Sequence, residues 1–166
     1  MLNLVSDFSY CNEQITEMTP HLPVPTKFRA FKILEFGAGD STIKLYQYYK
    51  EIYGNIEYTC YESNPSYLPK AVGTLVPILH RSVQEVEVKD NIYDLVLVDG
   101  PSGPTRALWY KKLVGKTRPG TIIHVDDFNQ YAEYLKELSL HHTYDVLFNH
   151  PRARIGLKYW YTVKIK

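Results

Sequence analysis

An apolar strand that runs straight into a two-glycine turn and then into a helix fits few folds. Residues 32–45 of this 166-residue chain, KILEFGAGDSTIKL, have that order. Gly37 and Gly39 make the turn possible, because a tight reversal needs a positive φ and a missing Cβ lets a ligand come close to the backbone. Ser41 or Thr42 is placed to cap the following helix, whose unpaired N–H groups and positive dipole end attract a carboxylate or phosphate. Such a unit suits an anion-bearing ligand seated on the turn. A plain strand-to-helix connection of the same length would bind nothing.

The remaining chain carries more units of this kind. Residues 1–31 hold Pro20, Pro23 and Pro25, so a helix near residues 12–18 should stop before Pro20 and leave an extended lead-in, a cap or substrate lid. Residues 33–36 have buried-strand length, and residues 42–53 carry Ile43, Leu45, Tyr46, Tyr49 and Ile52 at roughly helical spacing. Residues 56–62 are rich in strand formers and end in Glu62, ahead of Ser63-Asn64-Pro65, where proline can start a helix. Residues 75–80 predict a third strand, with Pro77 implying an edge or a strand end, and residues 84–91 are too short and too charged for a full crossover helix. Residues 95–98, LVLV, suit a central parallel strand buried on both faces, and Asp99-Gly100 follows. A helix over 105–116, a strand over 121–125 ending in Asp126-Asp127, and a helix from 129 or 130 to 140 come next. Strands at 143–148 and 155–165, with no helical stretch between them, predict an antiparallel hairpin around residues 149–152.

Length allows one domain with a sizeable core. A formal charge of +1 gives no electrostatic case for nucleic acid. No apolar run reaches membrane-spanning length, and an N-terminus with Asn3, Asp7 and no early Lys or Arg lacks a signal-peptide pattern, so the expected compartment is the cytoplasm. Cys11 and Cys60 read as free thiols. The many tyrosines are expected in the core and on helix surfaces rather than as a sugar or base platform.

Glu62 lies about 20 residues beyond the glycine turn, where a strand-end carboxylate in open α/β folds accepts hydrogen bonds from ribose hydroxyls. The alternative is an exposed charge at a helix start. Ligands of such sheets bind outside the carboxyl ends of the strands, which brings Asp99 to the same crevice as Gly37 and Glu62. A dinucleotide fingerprint requires a third glycine three residues after the second, and Thr42 occupies that place. Glu35-Phe36-Gly37-Ala38-Gly39 instead resembles the E/D-x-G-x-G signature of the class I S-adenosylmethionine (SAM) methyltransferases. Val98-Asp99-Gly100-Pro101, with Pro119-Gly120 and His124-Val125-Asp126-Asp127, resembles the small-molecule and sugar O-methyltransferases, among them macrocin-type, catechol-type and glucuronoxylan O-methyltransferases. The resemblance spans nearly the whole chain. It implies one α/β domain over residues 1–166, with a Rossmann-like sheet of seven mostly parallel strands closed by an antiparallel hairpin. Residues 1–31 would be the cap and 32–166 the cofactor-binding core. It also implies that Glu35, Gly37, Ala38, Gly39, Ser41 and Thr42 hold the methionine part of SAM and that Glu62 and Ser63 meet the ribose. Arg81, Ser82 and Val83 would border the adenine, with Asp99 and Gly100 beside the methyl group. The chain has little beyond this core and no large substrate insertion, which leaves the acceptor class open.

Asp99, Asp126 and Asp127, at the ends of neighbouring strands, suit one hard divalent cation, Mg²⁺, Mn²⁺ or Ca²⁺, that would acidify an acceptor hydroxyl. Without a metal, any of the three could take the hydroxyl proton. Adjacent strand residues point to opposite faces, so Asp126 and Asp127 ligate together only if the strand has ended by Asp126. Otherwise one of them is a helix cap or a base. His124, on a buried strand, reads as a satisfied core residue. These readings together favour SAM-dependent O-methylation of a hydroxylated small molecule or saccharide, without nucleic-acid or membrane partners. A non-catalytic SAM- or nucleotide-binding module serving a protein partner is the alternative, and an NAD-dependent oxidoreductase is disfavoured by the missing glycine.

Overall fold

A strand that is apolar at every position has to be covered on both faces. In the computed structural model, which describes residues 12–67, 77–101, 104–126, 133–150 and 160–166, the all-apolar strand over 95–98 lies in the middle of the sheet, between two strands that are themselves almost wholly buried. The elements run α1 (Asn12–Met18), β1 (Phe31–Phe36), α2 (Asp40–Tyr53), β2 (Ile56–Glu62), β3 (Ile78–Leu79), β4 (Leu95–Val98), α3 (Leu108–Lys112), β5 (Ile122–Asp126), α4 (Glu133–His141), β6 (Tyr144–His150) and β7 (Trp160–Ile165). The sheet has seven strands in the order β3-β2-β1-β4-β5-β7-β6. β1 pairs in parallel with β2 and β4, β4 pairs in parallel with β5, and β7 enters antiparallel between β5 and β6. This is the expected mostly parallel α/β sheet with a terminal antiparallel hairpin.

Alternation along the strands sorts the core into two layers. Ile33, Leu95, Leu97 and Ile122 pack with Leu45 and Tyr49 of α2 and with Ile15 and Met18 of α1. Leu34, Phe36, Val96, Val98, Ile123 and Val125 face the other way, onto Trp109, Tyr110 and Leu113 and onto Tyr134 and Leu138 of α4. Tyrosines 49, 93, 110 and 134 are buried within these layers, as expected of a core-filling role.

Several expectations shift. The helix expected over 105–116 is a 3-10 turn, Pro104–Ala107, followed by α3 alone, because the chain turns after Leu113 and Gly115 takes a φ of 73°. β5 extends one residue further than expected and includes Asp126. Of the expected third strand, Ile78–Leu79 form β3 at the sheet edge, residues 75 and 76 lie outside the described residues, and the crossover after it is one 3-10 turn, Val83–Glu85. The hairpin turn expected around 149–152 and the start of the last helix also fall largely outside the described residues. Within the expected cap, α1 ends before Pro20 as foreseen, yet Ile15 and Met18 are almost fully buried, so this helix is part of the core. Among the described residues no helix is long and apolar enough to cross a membrane.

Candidate functional site

The turn after β1 is built on backbone contact. Gly37 has a φ of 101°, and a Cβ on it would lie 2.6 Å from the Gly100 nitrogen and 2.9 Å from the Asp99 carbonyl carbon. The N–H groups of Asp99 and Gly100 both donate to the Phe36 carbonyl, at 2.8 and 2.7 Å, and the Gly37 N–H donates to the Tyr61 carbonyl at 2.8 Å. What Gly37 approaches closely is therefore the end of β4. Gly39 differs: its φ of −175° is ordinary extended backbone, and a Cβ there meets nothing within 4 Å. It caps α2, and Thr42 at the third helical position accepts the Gly39 N–H at 2.9 Å. Ser41 and Thr42 are both buried.

Two acidic residues anchor this turn from below. Glu35 is completely buried, and its Oε2 accepts from the Tyr58 hydroxyl at 3.0 Å and the Cys60 thiol at 3.3 Å. Burial pushes its carboxyl up to about 7, and burial together with the nearby Glu35 pushes the Cys60 thiol up. Glu62 accepts backbone N–H groups from three residues, Ala38 on Oε2 and Ser63 and Asn64 on Oε1, each at 2.6 Å. The Glu62 carboxylate thus ties the turn after β1 to the turn after β2, a role that an exposed helix-start charge would not have.

Beyond β2, Ser63 and Arg81 line a cavity of about 850 Å³ with Tyr61, Ile78, Leu79 and His80. Arg81 is exposed, whereas the Val83 side chain is buried in the core, which leaves its backbone as the part available to a ligand. Ser82 precedes the 3-10 turn that Val83 begins.

At the ends of β4 and β5, Asp99 is half-buried and Asp126 is 2 % exposed. Asp126 Oδ1 accepts from the Gln14 amide at 3.1 Å, and the same amide nitrogen lies 3.3 Å from His124 Nε2. His124 Nδ1 is 2.8 Å from the Thr162 hydroxyl, so His124 is a satisfied core residue, as expected. Arg106 holds the two strand ends together: its guanidinium donates to the carbonyls of Pro101, Asp126 and Asp99, at 2.9, 2.8 and 2.6 Å. Trp109 Nε1 donates to the Gly100 carbonyl at 2.8 Å.

One of the three expected metal ligands, Asp127, lies outside the described residues. Asp126 belongs to the strand and turns toward Gln14, and among the described residues no three acidic, histidine or cysteine side chains cluster to hold a cation. Arg106 and Gln14 were not singled out from the sequence. The signal was present: Arg106 continues the buried spacing of Trp109, Tyr110 and Leu113, and Gln14 that of Ile15 and Met18, so each is a polar residue on an apolar stripe.

The sequence matches no protein-family model, and no curated protein matches it. Solved structures do resemble it. A TehB-like SAM-dependent methyltransferase from Corynebacterium glutamicum superposes with a TM-score of 0.63 at 10% identity, covering 91% of this chain and 86% of that one. Aeropyrum pernix fibrillarin, solved with natively bound SAM, gives 0.64 at 14% identity over 90% of this chain and 71% of that one. A precorrin-6y C5,15-methyltransferase from Geobacter metallireducens gives 0.60 at 13% identity, over 92% and 87%. At these identities the likeness establishes the fold, that of the class I methyltransferases.

Proposed function

We propose that this chain is a SAM-dependent methyltransferase whose acceptor is a hydroxyl of a small molecule or saccharide. The observation that carries the reading is the junction of the turns after β1, β2 and β4, locked by Gly37 against Gly100 and by Glu62 on the Ala38 amide, with Gly39 left facing open space. Those residues fit the cofactor. The open N-terminus of α2 receives its carboxylate, and Glu62 Oε2, which accepts the Ala38 N–H, has capacity for a ribose hydroxyl. Bound SAM supplies an electrophilic methyl group. The chain's own work is alignment, worth at most about 7–11 kcal/mol of barrier, and removal of the hydroxyl proton. Asp99 is the better base, because it is half-buried at the crevice while Asp126 is enclosed and held by Gln14. Arg106 fixes the backbone carrying Asp99.

The names of the structural neighbours include a precorrin methyltransferase and a fibrillarin described as a pre-rRNA processing protein, from Methanococcus jannaschii, so the acceptor class rests on this chain's near-neutral charge and on its strand-end carboxylates. The test is thermal shift and calorimetry with SAM, its demethylated product and NAD, followed by transfer of labelled methyl to hydroxylated small molecules and saccharides. SAM and its product should stabilise the protein, and NAD should not. Gly39→Val should fold normally and lose SAM binding. Undiminished SAM affinity in that variant would sink the site. Tight SAM binding with no transfer to any hydroxyl would favour the non-catalytic binding module.

A further inference from the structure

The amino-terminal edge of the sheet, roughly 17 Å from the glycine turn along β1 at ~3.3 Å per residue, carries a second cluster of chemistry. Arg29 and Arg118 both donate through Nη2 to the same atom, Asp94 Oδ1, at 2.8 Å for Arg118, and the Lys32 N–H donates to Oδ2 at 3.0 Å. The Asp94 side chain is 1% exposed, while those of Arg29 and Arg118 are 39% and 44% exposed. One buried carboxylate therefore answers two accessible guanidiniums, and among the described residues most N–H donors of each guanidinium are not engaged. Two other carboxylates here have cations of their own, Asp90 with Lys116 and Glu57 with Lys32, so among the described residues of this cluster four cations face three carboxylates.

Arg29 and Arg118 both line a cavity of about 190 Å³, whose other walls include Pro23, Val24, Phe31 and Tyr53. Those walls are fixed in advance. The Phe31 and Tyr53 rings stack with centroids 3.8 Å apart, and the Tyr53 hydroxyl donates to the Pro23 carbonyl at 2.9 Å. A preformed apolar recess lined on one side by two arginines suits a molecule with a charged head and an apolar body.

We propose that this edge binds a small organic anion, a carboxylate or phosphate monoester, with its head on the N–H donors of Arg29 and Arg118 that Asp94 does not use and its apolar body against Val24 and Tyr53. The site is separate from the glycine turn and independent of the methyltransferase reading.

Phenyl phosphate, benzoate and inorganic phosphate, titrated by calorimetry into the full chain, test the proposal. Phenyl phosphate or benzoate should bind saturably and more tightly than inorganic phosphate, which cannot use the apolar wall. The better of the two identifies the head group. Arg118→Gln should weaken binding by about tenfold or more, since it removes half of the charged fork. Thr26→Glu, at an exposed residue lining the cavity, should do the same by repulsion without touching the core. Gly39→Val should bind the anion as wild type does. Absence of saturable binding by every probe, equal affinity in wild type, Arg118→Gln and Thr26→Glu, or loss of binding in Gly39→Val would each overturn the proposal.

Discussion

Replacing Gly37 with alanine should break the fold at the junction that builds the site, whereas the same change at Gly39 should leave the fold standing. The added methyl at position 37 would sit 2.6 Å from the Gly100 nitrogen and 2.9 Å from two further backbone atoms, so the ends of β1 and β4 must part by several tenths of an ångström. Overpacking of this kind costs about 1–3 kcal/mol. The positive φ of 101° adds roughly 1–3 kcal/mol for a residue bearing a Cβ. The sum, about 2–6 kcal/mol, is a large part of the stability of a domain this size, and at about 2–4 °C per kcal/mol it lowers Tm by roughly 4–24 °C. Gly39→Ala meets neither penalty. It loses only a few tenths to about 1 kcal/mol as a poorer helix cap, partly offset by a stiffer unfolded chain. Urea unfolding of wild type, Gly37→Ala and Gly39→Ala, followed by circular dichroism, reads both effects. Coincident midpoints for wild type and Gly37→Ala would refute the argument that backbone contact with Gly100, rather than ligand approach, demands the first glycine.

Burial raises the Glu35 carboxyl to about 7 from an ordinary 4.5, so the folded state holds its proton where the unfolded chain has lost it. The stability this gives is complete below about pH 4.5 and is lost as pH rises to about 7. Glu35→Gln should therefore flatten that decline and exceed wild type near pH 8 by up to roughly 3 kcal/mol; parallel urea midpoints for the two proteins across this range would contradict it. Arg106→Lys should lose stability on the order of 3 kcal/mol, because an ammonium cannot serve three carbonyls in the planar fork that Arg106 presents, and unchanged unfolding would show the clamp to be dispensable. Removing residues 1–22 strips Ile15, Met18 and Leu22 from the core at about 1.5–3 kcal/mol each, and the product should lack native circular dichroism. A folded truncation that loses only acceptor binding would make this segment a lid.

The central strands, the glycine turn, the acidic ends at Glu62 and Asp99 and the closing hairpin were legible because each is a local pattern: runs of apolar residues, punctuation by glycine or proline, and a carboxylate where a strand stops. Those patterns determined the order of the elements and the class of sheet they form. Only the tertiary structure decided that Gly37 is pressed by Gly100 while Gly39 faces open space, since the two glycines look alike until a strand some sixty residues later is laid beside the first. It alone turned Asp126 toward Gln14 and set Arg106 across the carbonyls of two strands. The physical reason is range. Periodicity reports which face of an element is buried, but the partner of a buried polar group is chosen by the packing of segments far apart in the chain, and no window of the sequence contains both.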